Sequence, residues 1–494
     1  MKKLSVAPLV AATYFMVAGG PYGLEEIVAG AGYVGAIIVL LVTPLVWSLP
    51  TALMVGELAS TLPEEGGYYA WVRRALGPFW GFQEAWLSLV ASVFDMAIYP
   101  TLFTLYLGRL FPALAGGLWP LALGAAMIAL CALWNLRGAR SVGWGALAMT
   151  VVLLAPFAVL ATCALAARPD GASPPVSLAG GSWPLALGAA MIALCALWNL
   201  RGARSVGWGA LAMTVVLLAP FAVLATCALA ARPDGASPPA SLSGLWGGIL
   251  VAIWNYMGWD NASTIAGEVE RPQRTYPIAM LATVTLVALT YVVPVAAVAH
   301  TRIDPRGWST GGWVDVGRAL GGPWLGRAIA FGGVVCGIGM FNALVLSYTR
   351  VPLVLARDGL LPRVFARTLP SSETPWVSVL VLCILWMACL TLGFQRLIEL
   401  DVLVYGMSLL LEFVALVALR LREPRLPRPF RVPGGLAGAT LLGVLPMVLI
   451  ATALWSGRHE SAGRLPTLGL GCMLVIAGPM VYWIGRRSRR WREW

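Results

Sequence analysis

Six acidic side chains sit inside or at the ends of otherwise apolar stretches of the chain: Glu25, Glu26, Glu57, Asp95, Asp260 and Glu412. A charge at the centre of a bilayer-spanning helix costs about 2.5–3.5 kcal/mol, so each of these acids needs a reason to be there. Carboxylates without a fixed counter-ion attract cations or protons. Lys2 and Lys3 are the only lysines, and the arginines fall at the ends of apolar runs. No buried cation is therefore expected beside the acids. Asp95 and Tyr99, four residues apart, share one helix face. Asp95 and Asp260 are expected to face a cavity, whereas Glu57 and Glu412 are expected to cap backbone groups or to lie near the interface.

Two apolar runs carry breaks that would expose backbone. Gly19, Gly20, Pro21, Tyr22 and Gly23 combine the poorest helix formers in the first run, just ahead of Glu25 and Glu26. Trp254, Asn255, Tyr256, Met257, Gly258, Trp259, Asp260 and Asn261 interrupt a later one. Irregular backbone is tolerated at membrane depth only where protein buries it or where it lines a polar cavity. Paired broken helices point to a midplane binding site. The aromatic rings of Tyr22, Trp254, Tyr256 and Trp259 could hold an organic ammonium by cation–π contact or could simply pack.

The elements that must position these residues are spanning helices. Of 494 residues, 59% are hydrophobic and only 11% charged, with a mean hydropathy of +0.81. A soluble domain carries about 25% charged residues. A span needs about 20 apolar residues, and the chain divides into about 14 such runs. They include 5–32, 35–61, 79–108, 119–136, 206–230, 244–267, 323–355 and 401–419. The first twenty residues read as helix 1 rather than as a secretory signal. Lys and Arg concentrate on the side that places both termini in the cytoplasm of a multi-pass cell-membrane protein. In this setting the net charge of +12 does not point to nucleic acid. The eight cysteines lie in apolar segments without metal-ligand spacing and read as reduced thiols. No metal or cofactor is expected. His300 and His459 fall in outside loops, and no nucleophile and base form a catalytic pair, so enzyme chemistry is not expected.

A repeat precedes any fold assignment. Residues 119–175 recur letter for letter as 183–239, an offset of 64. Diverged symmetry is ordinary in transporters, but complete identity means a recent tandem duplication, an engineered insertion or an assembly artefact. Each copy is a two-helix hairpin, so the surplus leaves the orientation downstream unchanged and reduces 14 spans to 12. The organisation read from this pattern is 1–118, helices 1–3; 119–182, a helix 4–5 hairpin; 183–243, its second copy; 244–422, a second group of five helices; and 423–494, two C-terminal helices and a basic tail.

Four stretches carry a family likeness: GELASTLPEEGGYYAWVRRALGPFWGFQEAW, IWNYMGWDNASTIAGEVERPQRTYP, SYTRVPLVLARDGLLPRVFA and REPRLPRPFRVPGG. Together they resemble the amino acid-polyamine-organocation superfamily. With GGPYGLEE and DMAIYP, the chain is most similar to polyamine uptake permeases of the L-type amino acid transporter branch. The resemblance implies an all-α integral membrane protein with a leucine-transporter-like 5+5 inverted repeat, two further helices, and proton-coupled alternating access. Carried over by residue, it places Gly19, Gly20 and Gly23 in the unwound loop of helix 1. It makes Trp254 the aromatic that covers substrate, and Asp260 the acid of substrate or proton coupling. Departures are Pro21, which removes an amide donor where relatives hold a substrate carboxylate, and the absence of a lysine in either copy of helix 5. The first, with the acids Glu25 and Glu26 that follow it, favours a substrate with amines and no carboxylate; the second leaves proton coupling to rest on the carboxylates.

The candidate substrate-binding residues are Gly19, Gly20, Tyr22, Gly23, Glu25, Glu26, Asp95, Tyr99, Trp254, Tyr256, Trp259 and Asp260. Asp260 and then Glu25 are the candidates for proton coupling. The expected partners are a small organic cation such as putrescine or spermidine, protons and lipid. The alternatives are a proton-coupled amino acid permease, or a non-transporting sensor in which the extra hairpin has stopped the cycle. Symport against antiport and oligomeric state stay open.

Overall fold

The computed structural model describes residues 5–63, 66–136, 218–231, 245–263, 269–370, 374–457 and 467–487. These are helical, joined by turns, with no strand among the described residues. The helices are α1 (Val6–Val17), α2 (Glu25–Thr43), α3 (Leu49–Thr61), α4 (Gly67–Leu76), α5 (Pro78–Leu110) and α6 (Trp119–Leu136). There follow α7 (Leu218–Ala230), α8 (Leu245–Asn255), α9 (Pro272–Thr301), α10 (Trp313–Tyr348) and α11 (Arg350–Arg357). The last are α12 (Trp376–Cys389), α13 (Phe394–Arg422), α14 (Gly435–Gly457) and α15 (Thr467–Arg487). Eight of the described helical stretches are long and apolar enough to cross a membrane.

Helix ends follow local chemistry. α1 stops where Gly19, Gly20 and Pro21 begin, and α8 stops ahead of Gly258. The run 25–61 is not one rod. Gly32 turns the chain between two helical pieces, and a π-helical turn at Pro44–Ser48 joins α2 to α3. The expected boundary between helices 1 and 2 therefore falls at the Gly32 turn. A second glycine turn, at Gly322 in α10, separates a short leading helix from the long span that follows. The short amphipathic α4 was not anticipated, because ten residues are too few to read as a span.

The packing is reciprocal. The short α1 lies on α9, while the short α8 lies on α2, and the central α5 is clasped by α10 on one side and α13 on the other. α14 and α15 pack on the outside of α13. α6 packs against α5, α10 and α12, and α7 reaches the core through Phe221. α6 comes from the first copy of the repeat and α7 from the second. The seam between the two copies lies in 137–217, outside the described residues.

One expectation is corrected here. Buried cations do exist beside an acid: Glu57, at the end of α3, is 1% exposed and pairs with Arg420, with Arg428 at 3.5 Å. Its carboxylate also accepts from the Val432 amide at 2.7 Å. Both arginines stand at the end of an apolar run, as the sequence suggested. The Arg-Pro-rich loop after α13 folds back over the bundle end, and so brings them inside.

Candidate functional site

The two breaks meet at the centre of the bundle. Gly258 has φ 90°, and a Cβ there would stand 2.5 Å from the Met16 carbonyl oxygen. Only glycine permits both this backbone and this approach. Gly23, with φ 92°, similarly leaves room for the Trp254 ring, 3.1 Å from where its Cβ would be. The backbone groups freed by the breaks are met by protein. Gly19 O accepts from Cys336 Sγ at 2.9 Å, and Pro21 O accepts from Trp313 Nε1 at 2.9 Å. In the second break Asn255 O accepts from Tyr291 Oη at 2.8 Å. Tyr256 O accepts from Trp47 Nε1 at 3.0 Å and from Trp259 Nε1 at 2.7 Å.

Beside these breaks is a chamber lined by Gly19, Tyr22, Asp95, Tyr99, Trp254 and Asp260 of the predicted set. Asp95 Oδ1 accepts from Tyr99 Oη at 3.0 Å and from Trp254 Nε1 at 3.3 Å, and its Oδ2 accepts from Tyr348 Oη at 3.2 Å. Asp260 Oδ1 accepts from Tyr405 Oη, a hydroxyl that also receives the Gly258 amide at 3.3 Å. No lysine or arginine belongs to the lining among the described residues.

The rest of the predicted set is placed otherwise. Tyr256 and Trp259 are fully buried and hold the second break together; Tyr256 Oη donates to Leu40 O at 2.9 Å. Gly20 and Gly23 shape the first break with positive φ. Glu25 accepts from the Gly23 and Gly311 amides at 2.8 and 2.9 Å and from Tyr106 Oη. Glu26 accepts from Thr310 N at 3.0 Å and Thr310 Oγ1 at 2.8 Å. These two acids therefore tie the first break to the 309–312 turn, and neither lines the chamber.

The chamber also contains an acid that the sequence reading missed. Asp401 lines it, is 1% exposed, and neither of its oxygens has a hydrogen-bond partner among the described residues. A signal was present: Asp401 precedes Tyr405 by four residues, the spacing of Asp95 and Tyr99. It was hidden because Gln395, Arg396 and Glu399 made the start of that run look like loop. The helix begins at Phe394 and carries Asp401 a full turn and more inward.

The described lining thus holds three carboxylates and seven aromatic rings and no lysine or arginine, the chemistry that recognition of a small organic cation would need. Comparison with known proteins accords with that chemistry. The amino acid permease family model matches residues 10–185 and again 176–477. Polyamine transporter RMV1 of Arabidopsis thaliana is 31% identical over 460 residues, covering 92% of this chain and 80% of that protein. The chain belongs to the amino acid permease family. Polyamine transporter PUT1 of Oryza sativa subsp. japonica is 31% identical over 492 residues, 99% of this chain and 80% of that one. The serine/threonine exchanger SteT of Bacillus subtilis (strain 168) is 23% identical over 461 residues, 90% of this chain and 86% of that one. The chain is thus a membrane transporter of the amino acid-polyamine-organocation superfamily, in its polyamine uptake branch, and not an enzyme.

Proposed function

We propose that this permease imports polyamines or related organic cations by proton-coupled alternating access. The observation that carries the reading is the chamber's charge: Asp95, Asp260 and Asp401 face a space with no lining cation among the described residues. One ammonium of a diamine sits between Asp95 and the Trp254 ring, and the other meets Asp401 and Asp260. Glu25 and Glu26 keep the first break folded and do not touch substrate. The Gly23 amide is already given to Glu25 and Pro21 has none, so two of the five positions in the 19–23 break have no amide to offer a substrate carboxylate. Asp260 is the coupling acid of this chamber: bound to Tyr405 and placed in the broken segment, it changes partner as that segment moves. The reciprocal packing of α1 on α9 and α8 on α2 supports two inverted repeats of five helices; the excess of Lys and Arg on one side of the spans puts both termini on the cytoplasmic side of the cell membrane.

The test is uptake of radiolabelled putrescine into proteoliposomes under an imposed proton gradient, with unlabelled amino acids as competitors. It compares the 494-residue chain with one lacking residues 119–182. Gradient-driven uptake that amino acids do not inhibit supports the reading. Uptake of an amino acid in place of putrescine by either chain overturns the amine-only assignment. Uptake by the shorter chain alone identifies the second hairpin as a block on the cycle.

A further inference from the structure

Outside the chamber, between α5 and α13, lies a second group of acids that the reading above does not use. Glu84 and Glu412 are both 0% exposed. Glu84 Oε1 accepts from Ser88 Oγ at 2.8 Å and from Ser408 Oγ at 3.0 Å, and the two serine oxygens are 2.7 Å apart. Glu412 stands one turn beyond Ser408 on the same face of α13 and within electrostatic reach of Glu84 and Asp260. Both oxygens of Glu412 and Oε2 of Glu84 are buried with no hydrogen-bond partner among the described residues. Isolated carboxylates in such a place would be very costly, and a bound cation or proton removes that cost.

We propose that Glu84 and Glu412 form a buried proton-holding site, reached from the substrate chamber through the Ser88 hydroxyl. Ser88 decides between a proton and an ammonium. It lines the chamber while Glu84 and Glu412 do not, so a hydroxyl stands where a polyamine would have to pass. A hydroxyl does carry a proton: Ser88 Oγ accepts one from the chamber side and gives its own to Glu84 Oε1. Serine ends neutral and glutamate ends as the acid, with no other bond broken. The groups facing the pair are Tyr68 from α4, Asp260 from the second break, and Tyr405 with Ser408 from α13 itself. Asp260 thus has substrate on one side and this pair on the other. The pair also lies toward the end of the bundle that bears Arg74, Arg420 and Arg422. Glu84 is six residues into α5, about 9 Å from its start at 1.5 Å per residue.

This inference rests on the proton-coupled reading and extends it. The experiment uses the full chain in proteoliposomes, as wild type, Glu84→Gln and Glu412→Gln, with two readouts. The first is exchange of labelled for unlabelled putrescine at equal pH on both sides, which needs a working chamber and no net proton movement. The second is accumulation driven by a pH gradient. The expected result is exchange within about twofold of wild type in both variants, with driven accumulation reduced at least tenfold. Wild-type accumulation in both variants overturns the proposal and leaves the transport reading intact. Absence of putrescine exchange in the wild-type chain overturns both. A variant that loses exchange as well is compared with its Asp counterpart. Recovery of exchange together with accumulation whose pH dependence is shifted supports the proton site, and any other result marks the pair as structural and overturns it.

Discussion

Glu57 and Glu412 differ by one percentage point in exposure, yet they live in opposite electrostatic worlds. Glu57, at one end of the bundle, is surrounded by the Arg420 and Arg428 guanidiniums and the Val432 amide. Glu412, deeper in α13, has no partner for either oxygen among the described residues. The first arrangement fixes a geometry, because both charges would be exposed to a large penalty if they parted. The second leaves both oxygens without a protein donor among the described residues, as the proposed proton-holding site requires. Burial of an acid alone therefore does not separate a structural role from a coupling one; the partners that meet it do.

The contrast can be broken or sharpened by substitution. The largest effect is expected in the chamber: Asp260→Asn should abolish gradient-driven uptake, by 100-fold or more, with normal membrane insertion measured by fluorescence-detected size exclusion. At the bundle end, Arg420→Met leaves Glu57 with Arg428 alone. It should destabilise the protein by about 3 kcal/mol, the low end of the range for a broken buried pair, seen as a lowered melting temperature in detergent. The double variant Glu57→Gln with Arg420→Met should melt closer to wild type than Arg420→Met does. Additivity would mean that the pair is not coupled.

Asp401→Asn should do the reverse of Arg420→Met. The melting temperature should stay the same or rise, because no protein hydrogen bond is lost, while the KM for putrescine should rise about tenfold. A drop in stability with unchanged KM would move Asp401 into the structural class. Trp254→Leu removes one of the three donors to Asp95 and a ring of the chamber wall, and should raise KM about fivefold, with Trp254→Phe between the two. The smallest effect belongs to the exposed Asp304, which the Arg306 guanidinium and amide hold down to about 2 from an ordinary 3.8. Its contribution is fully present above pH 3.8 and fades only as pH falls toward 2. Asp304→Asn should therefore lower the melting temperature by the same small amount at pH 5 and at pH 8, and by less as the pH falls toward 2.

Much of the architecture was legible because bilayer depth imposes a length on apolar runs. The span 119–136 matches α6 at both ends, and both breaks lie where glycine, proline and polar residues cluster. Misreadings came from residues whose role depends on folding back. Arg420 and Arg428 look peripheral until the 423–434 loop covers them, and Asp401 looks interfacial until Gln395, Arg396 and Glu399 are seen to be helical. Glu25 and Glu26 were legible as acids beside a break, but their partners, Gly311 and Thr310, lie nearly 300 residues away. No local pattern encodes such a pairing. The candidate site was thus recognisable in its elements, with Asp95, Trp254 and Asp260 in place, while its charge balance was set by contacts invisible along the chain.

The repeat has a consequence for inheritance. The helices packed in the core, α6 and α7, are complementary halves of one hairpin drawn from different copies. Because the copies are identical over 119–175 and 183–239, removal of any 64 consecutive residues that begins between 119 and 175 yields the same shorter protein. The insertion can be reversed without a scar wherever the exchange falls. While it persists, a substitution in 119–136 is felt through the contacts of α6 with α5, α10 and α12. In a natural duplication the two copies start equal in letters, and divergence between them records how long the chain has carried both.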